Sequence, residues 1–291
     1  MLKIVDTHIH LFDLTHESLH WSWLMPSAEE GRLGNIDGMK SLRYEAENLL
    51  AESRFASVGK FVHIQAAIGS KDPVLETEWL TQMFDRTGLP SAIVGHVDLT
   101  VDSAREVIDR HLAFANFRGV RDFAVEPALA TGKNATELNT ALNYLAEKNL
   151  VLDLDCQWPN MRLAAEMARR HPFLKIVIEH IGIPISNSDE YFADWKKGMA
   201  SLAAEPNIFC KLSGVGMLDP KFTKAGIQPW LEYCISTFGP ERCMIGSNWP
   251  LDRLFSSYDA VFNIYRAIIS QYSPDEQIAI SSSTAESFYR I

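Results

Sequence analysis

Eight short runs rich in Val, Ile and Leu recur along the chain with amphipathic stretches between them, and this alternation constrains the fold more than any other feature. The runs are 2–8, 59–66, 91–98, 116–122, 150–155, 174–180, 207–213 and 243–247. Helical patterns fill the gaps near 74–86, 103–114, 134–148, 159–171, 190–203, 223–238 and 256–271, with a last one at 274–289. Ser273-Pro274-Asp275-Glu276 and Trp158-Pro159-Asn160 supply helix starts, because proline suits the first turn. Strand alternating with helix predicts a parallel sheet, and eight repeats predict closure into a (β/α)8 TIM barrel, a single domain spanning 1–291. A doubly wound open sheet is the competing reading, but no GxGxxG turn follows the first run, where a dinucleotide fold would carry it. From Leu14 to Arg54 the pattern lapses into one long irregular insertion with Trp21, Trp23, Pro26 and several glycines, which reads as a packed lid.

At 291 residues and 47% hydrophobic composition the chain can fill one large core. The 27 basic against 37 acidic residues leave a net charge of -10, which argues against nucleic acid as a partner, since no positive field attracts a polyanion. Cys156, Cys210, Cys234 and Cys243 form no CxxC pair and read as reduced interior thiols. No apolar stretch reaches the about 18 residues of a membrane span, and no basic-then-apolar leader opens the chain. The expected location is cytoplasmic, with a small molecule as partner and self-association left open.

In the segment Asp6-Thr7-His8-Ile9-His10 the two-residue period of a strand sends Asp6, His8 and His10 to one face. A bare HxH also ends many surface strands, so its position at the close of the first run carries the argument. In a barrel, catalysis is built at the carboxyl ends of the strands. Those ends supply His8 and His10, then His63 and Gln65, His96 and Asp98, Arg118, Arg121 and Asp122, Asp153 and Asp155, Glu179 and His180, Lys211 and Ser213, and finally Ser247 and Asn248 before Trp249-Pro250. So many polar groups after apolar runs are costly to bury without partners or purpose. Asp122, Asp153 and Glu179 read as groups that orient a neighbour or cap a loop, and His63 and His96 as satisfied core histidines. His8, His10 and His180 stand out as the active-site candidates. Arg118 and Arg121, taken to share a face, offer guanidinium forks for a carboxylate or hydroxyl-rich ring, with Arg121 nearer the mouth. Gln65 stands among the same strand ends, and Trp21, Trp23, Trp158 and Trp249 offer stacking surfaces.

Six segments taken in order resemble one known group: Asp6-Thr7-His8-Ile9-His10, Phe61-Val62-His63-Ile64-Gln65, Phe117-Arg118-Gly119-Val120-Arg121, Val177-Ile178-Glu179-His180-Ile181-Gly182, Cys210-Lys211-Leu212-Ser213-Gly214 and Gly246-Ser247-Asn248-Trp249-Pro250. The ordered set is similar to the amidohydrolase-related lactonase branch of the amidohydrolase superfamily, which includes L-fuconolactonase and 2-pyrone-4,6-dicarboxylate lactonase. The resemblance implies a (β/α)8 barrel that opens lactones of sugar acids or related carboxylated rings with water. It implies that His8, His10 and His180 line the site, with Asn248 where the branch usually carries the aspartate that takes the water's proton. An amide cannot act as a base at neutral pH.

A two-metal site built on a carboxylated lysine is not expected, because the fourth run offers only arginines. The cofactor is either none or one divalent ion, zinc foremost, held by His8, His10 and His180. Without an ion, the imidazoles would donate hydrogen bonds to the lactone carbonyl. Two alternative activities remain on the same barrel: a lactone isomerase, which needs no water and suits Asn248, and a metal-dependent decarboxylase. A catalytically silent binding barrel is the alternative from another class.

Overall fold

The computed structural model describes residues 2–25, 35–39 and 41–291. Eight strands form one sheet in sequence order. They are β1 (Ile4–Ile9), β2 (Val58–Ile64), β3 (Ala92–His96), β4 (Phe117–Arg121), β5 (Val151–Leu154), β6 (Lys175–Ile178), β7 (Ile208–Leu212) and β8 (Cys243–Ile245). Every neighbouring pair is parallel. The ends of the sheet meet where Ile9 bridges Trp249 and the His10 N–H donates to the Trp249 carbonyl at 2.7 Å. The fold is the (β/α)8 barrel that the eight runs predict.

Two apolar layers account for closure. Val5, Val62, Ile64, Ala92, Val94, Val151, Val177 and Met244 fill the barrel, while the opposite faces of the same strands pack against the surrounding helices. β-Branched residues suit both faces of a doubly covered parallel sheet. The last helical segment runs on through Thr284–Tyr289 and sends Ala285, Phe288 and Tyr289 into the interior layer. It plugs the barrel instead of joining the outer ring, because those side chains extend the apolar set of the strands.

The insertion is more ordered than the irregular pattern suggests. Phe12–Asp13 pairs with Arg43–Tyr44, and the Glu45 side chain caps a helix over Ala46–Ser53 that the sequence pattern did not announce. Trp21 is fully buried and Trp23 donates its indole N–H to the Ala66 carbonyl at 2.8 Å, so both pack against the mouth of the barrel. Pro26 lies outside the described residues. All four cysteines are buried free thiols. Among the described residues no helix is long and apolar enough to cross a membrane.

Candidate active site

Three histidines meet at the carboxyl ends of β1 and β6. Nε2 of His8 lies 3.1 Å from Nε2 of His10, and the His8 and His180 ring centroids are 4.3 Å apart. The alternation in β1 is broken by a register shift between Asp6 and Ile9. That shift corrects the expectation that Asp6 shares the histidine face. Asp6 instead accepts from the Ser247 N–H at 2.8 Å, the Ser247 hydroxyl at 2.6 Å and the Tyr258 hydroxyl at 2.7 Å. It thereby ties β1 to the loop after β8 and to the helix Tyr258–Ile269.

Beyond β6, His180, Ile181, Gly182 and Ile183 all have positive φ, at 50, 50, 73 and 47°. A left-handed turn costs roughly 1–2 kcal/mol for each residue with a side chain. Two contacts hold it: Trp195 donates its indole N–H to the Ile181 carbonyl at 2.8 Å, and the Ile183 N–H donates to the His180 carbonyl at 2.8 Å. The turn bends the chain so that Glu179 and His180, neighbours in sequence, both lie against His8. On a regular strand they would face opposite sides. His180 Nδ1 is then fixed 2.8 Å from the Ser213 hydroxyl at the end of β7.

Glu179 is the hub of the site. One oxygen accepts from Arg121 Nη1 at 3.0 Å; the other lies 3.4 Å from His8 Nδ1 and 3.8 Å from Lys211 Nζ. Burial alone would raise its carboxyl, yet Arg121 and Lys211 hold it below the usual carboxylate range. Lys211 also meets Asp153 at 2.5 Å, and Tyr289 donates its hydroxyl to Asp153 at 2.9 Å. A column of paired charges thus runs from the C-terminal plug up to the histidines. Burial first, then neighbouring cations, pushes His8 and His10 well below the ordinary imidazole range, so both rings are neutral.

The donor set suits a divalent ion. His10 Nδ1 sits 2.9 Å from the Ile64 carbonyl, which fixes its proton there and leaves the Nε2 lone pair aimed at His8. His8 Nδ1 and Glu179 Oε1 are both buried without a hydrogen-bond partner among protein groups. Ligand atoms of His8, Glu179 and His180 lie within 4.8 Å of one another. Neutral imidazoles whose remote nitrogens are oriented by an acceptor are the usual ligands of zinc.

Other sequence candidates fall in different places. Arg121 is buried, with Nη2 on the Gln65 carbonyl at 2.5 Å and the Phe123 ring 4.8 Å from its guanidinium. Its terminal amines are therefore engaged by the protein. Gln65 is buried at the end of β2. Arg118 does not share a face with Arg121, because a spacing of three on a strand sends side chains to opposite sides. It donates to the Ala115 and Phe117 carbonyls and lies near Arg290, away from the histidines. Trp249 is 2% exposed, with its indole N–H on Glu52 at 2.5 Å and its ring edge-on to Tyr258, so it offers no open stacking face. Asp122 accepts the Leu99 and Ala124 N–H groups, as a loop cap does.

Asn248 is 1% exposed, lies directly after Ser247 at the end of β8, and donates Nδ2 to Asp252 Oδ1 at 3.0 Å. Asp252 is a buried carboxylate that strand-end logic passed over, since it sits four residues further on. Burial pushes it up to about 7 against the pull of Asn248. An acid this close to an amide in the usual aspartate position was the available signal.

Comparison with known proteins places these features in company. The family model described as "Amidohydrolase" matches residues 5–291. An uncharacterised protein, y4mH, of Sinorhizobium fredii is 32% identical, covering 100% of this chain and 99% of that one. An L-fucono-1,5-lactonase of Burkholderia ambifaria is 28% identical over 99% of this chain and 95% of its own length. The crystal structure of an amidohydrolase from Burkholderia multivorans with bound zinc superposes with a TM-score of 0.81 at 23% identity, covering 99% of each chain.

Proposed function

This chain belongs to the amidohydrolase family, and we propose that it opens the lactone of a sugar acid by adding water. The observation that carries the reading is the pair of neutral imidazoles, His8 and His10, with Nε2 atoms 3.1 Å apart and the His180 ring tilted against His8 at 4.3 Å between centroids. Likeness to an L-fucono-1,5-lactonase along nearly the whole chain supports a sugar-acid lactone as the substrate class.

Hydrolysis joins a water oxygen to the lactone carbonyl and breaks the ring ester bond; the ring oxygen leaves as a hydroxyl and the product is a hydroxy-carboxylate with one proton released. Negative charge grows on the carbonyl oxygen as water adds. A buried cluster of imidazoles with fixed orientations lowers that barrier, because its dipoles need no reorganisation. His10 is oriented by Ile64 and His180 by Ser213, while His8 Nδ1 faces, at 3.4 Å, the Glu179 carboxylate that Arg121 and Lys211 keep ionised. A divalent ion held by His8 and His180 with Glu179, whose ligand atoms gather within 4.8 Å, and with His10 beside them, would add Lewis-acid polarisation of the carbonyl and a more acidic water. Arg121 acts in this scheme through Glu179, and Asn248 positions a reactant as a hydrogen-bonding amide.

The test is a panel of aldono-1,5- and 1,4-lactones, L-fucono-1,5-lactone first, offered to purified protein with and without added zinc and followed by acid release. Ring opening that disappears in His8→Ala and His180→Ala is the expected result. A folded protein inert toward the whole panel overturns the reading.

A further inference from the structure

Asp252 has both carboxylate oxygens directed at N–H donors. Oδ1 takes the Asn248 side-chain amide at 3.0 Å and Oδ2 takes the Gly216 N–H at 3.4 Å. The Asp252 backbone N–H in turn donates to the Asn248 carbonyl at 3.2 Å, so the two residues close on each other twice. Asn248 has a φ of 59°, and its Oδ1 is buried with no hydrogen-bond partner among protein groups. Its neighbours fix where it stands: Ser247 holds Asp6 of β1, and the Trp249 carbonyl receives the His10 N–H. Asn248 is thus wedged at the end of β8 beside the strand that carries His8 and His10.

Asp252 Oδ1 accepts from Asn248 Nδ2, so the amide turns its nitrogen toward Asp252 and its oxygen away. A buried amide oxygen left unpaired costs free energy unless something supplies a proton to it. We infer that Asp252 is a positioning residue: it grips the Asn248 amide by its nitrogen, so that Asn248 presents Oδ1 to the mouth and accepts a hydrogen bond from the water that opens the ring. The inference rests on the lactonase reading for the identity of that water. It accounts for an amide where a base is expected, with the carboxylate set four residues further along the chain. Asp6 from β1 is the titratable group whose charge bears on this carboxyl, Tyr265 from the helix Tyr258–Ile269 is itself held neutral beside it, and Gly216 and Asn248 supply its N–H donors.

Three variants test it: Asp252→Asn, Asn248→Asp, and the reciprocal double exchange. With L-fucono-1,5-lactone, or whichever panel lactone the parent opens, Asp252→Asn should lower kcat by roughly 10²-fold with KM within about twofold, the signature of a lost transition-state contact. Asn248→Asp alone sets two carboxylates side by side that cannot both ionise, so its activity should appear only toward alkaline pH. The double exchange restores one amide and one carboxylate in hydrogen-bond contact and should recover about tenfold or more over Asp252→Asn. A purely structural turn would not show this rescue. Independently of turnover, the Asn248 side-chain amide resonance, identified by its loss in Asn248→Asp, should move in Asp252→Asn. No movement overturns the positioning whatever the activity, and so does a folded double variant no faster than Asp252→Asn. A parent that opens no lactone, with the amide shift present, overturns the lactonase reading and the role of the water with it, while the polarity of the pair stands.

Discussion

Gly214 runs so close beneath His180 that a β-carbon on it would lie 2.6 Å from the His180 Nδ1. Its φ of 63° adds a second reason for glycine, since this is the left-handed region. The Gly214→Ala variant must therefore push His180 off Ser213, its partner at 2.8 Å. Displacement by about 1 Å near reacting groups costs on the order of 10²-fold in rate, and the strained backbone adds roughly 1–3 kcal/mol of destabilisation. Turnover beside a thermal melt separates the two effects: a variant that melts early but turns over at the parental rate would show that His180 does not need this seat.

Glu179 binds Arg121 at 3.0 Å and faces His8 at 3.4 Å, and all three side chains are buried. Replacing it with Gln leaves two cations, Arg121 and Lys211, without their shared counter-charge. Breaking a buried pair in this way destabilises by about 3–5 kcal/mol. His8 loses the carboxylate that faces its Nδ1 at 3.4 Å, and removal of such a neighbour from a metal site weakens affinity by roughly 10–100-fold. Urea unfolding and a zinc titration of Glu179→Gln measure these separately. Zinc affinity equal to the parent's would remove Glu179 from the metal-binding part of the argument.

The barrel was legible because eight runs of Val and Ile alternate with helical patterns, and because polar residues gather at one set of run ends. His8 and His10 follow from that logic, and His180 from its place after β6. What escaped has local causes. Alternation assigns Glu179 and His180 to opposite faces, and only a left-handed turn through Ile181 and Ile183, residues that disfavour positive φ, brings both inward. The register shift in β1 turned Asp6 outward for the same kind of reason. Lys211 was visible as a polar strand end, but that it is fully buried between Asp153 and Glu179 depends on contacts far away in sequence. Arg121 was visible as a cation at the mouth, but its commitment to Glu179 and Gln65 depends on contacts 58 and 56 residues away in sequence.

Glu76, 3.9 Å from His63 Nε2, accepts the Ala66 and Ala67 N–H groups at 2.8 and 2.9 Å, and burial pushes its carboxyl up to about 7 from an ordinary value of 4.5. A raised carboxyl means that the folded state keeps a proton the unfolded chain has released. Its stability contribution is therefore complete below about 4.5 and is lost as pH rises to about 7. The loss amounts to roughly 3 kcal/mol at 1.36 kcal/mol per pH unit. Glu76→Gln keeps an acceptor oxygen for the loop and removes the titration. Relative to the parent, the variant should gain stability between pH 5 and 7, read from paired urea unfolding curves. A constant difference across that window would mean that Glu76 titrates normally in the fold.

The amide at Asn248 also raises the question of whether the reaction consumes water at all. An isomerase that moves the acyl group between two hydroxyls of one substrate would need no base to activate water, and an amide would serve it. Hydrolysis places one water oxygen in the new carboxylate, whereas acyl migration places none. A lactone turned over in ¹⁸O-labelled water for a single turnover should give a product two mass units heavier, with the label in the carboxylate. Water is the nucleophile in the first scheme and a hydroxyl of the substrate in the second. Label-free product formed at the full enzymatic rate would exclude water as that nucleophile. It would also give Asn248 a different partner, a hydroxyl of the substrate itself.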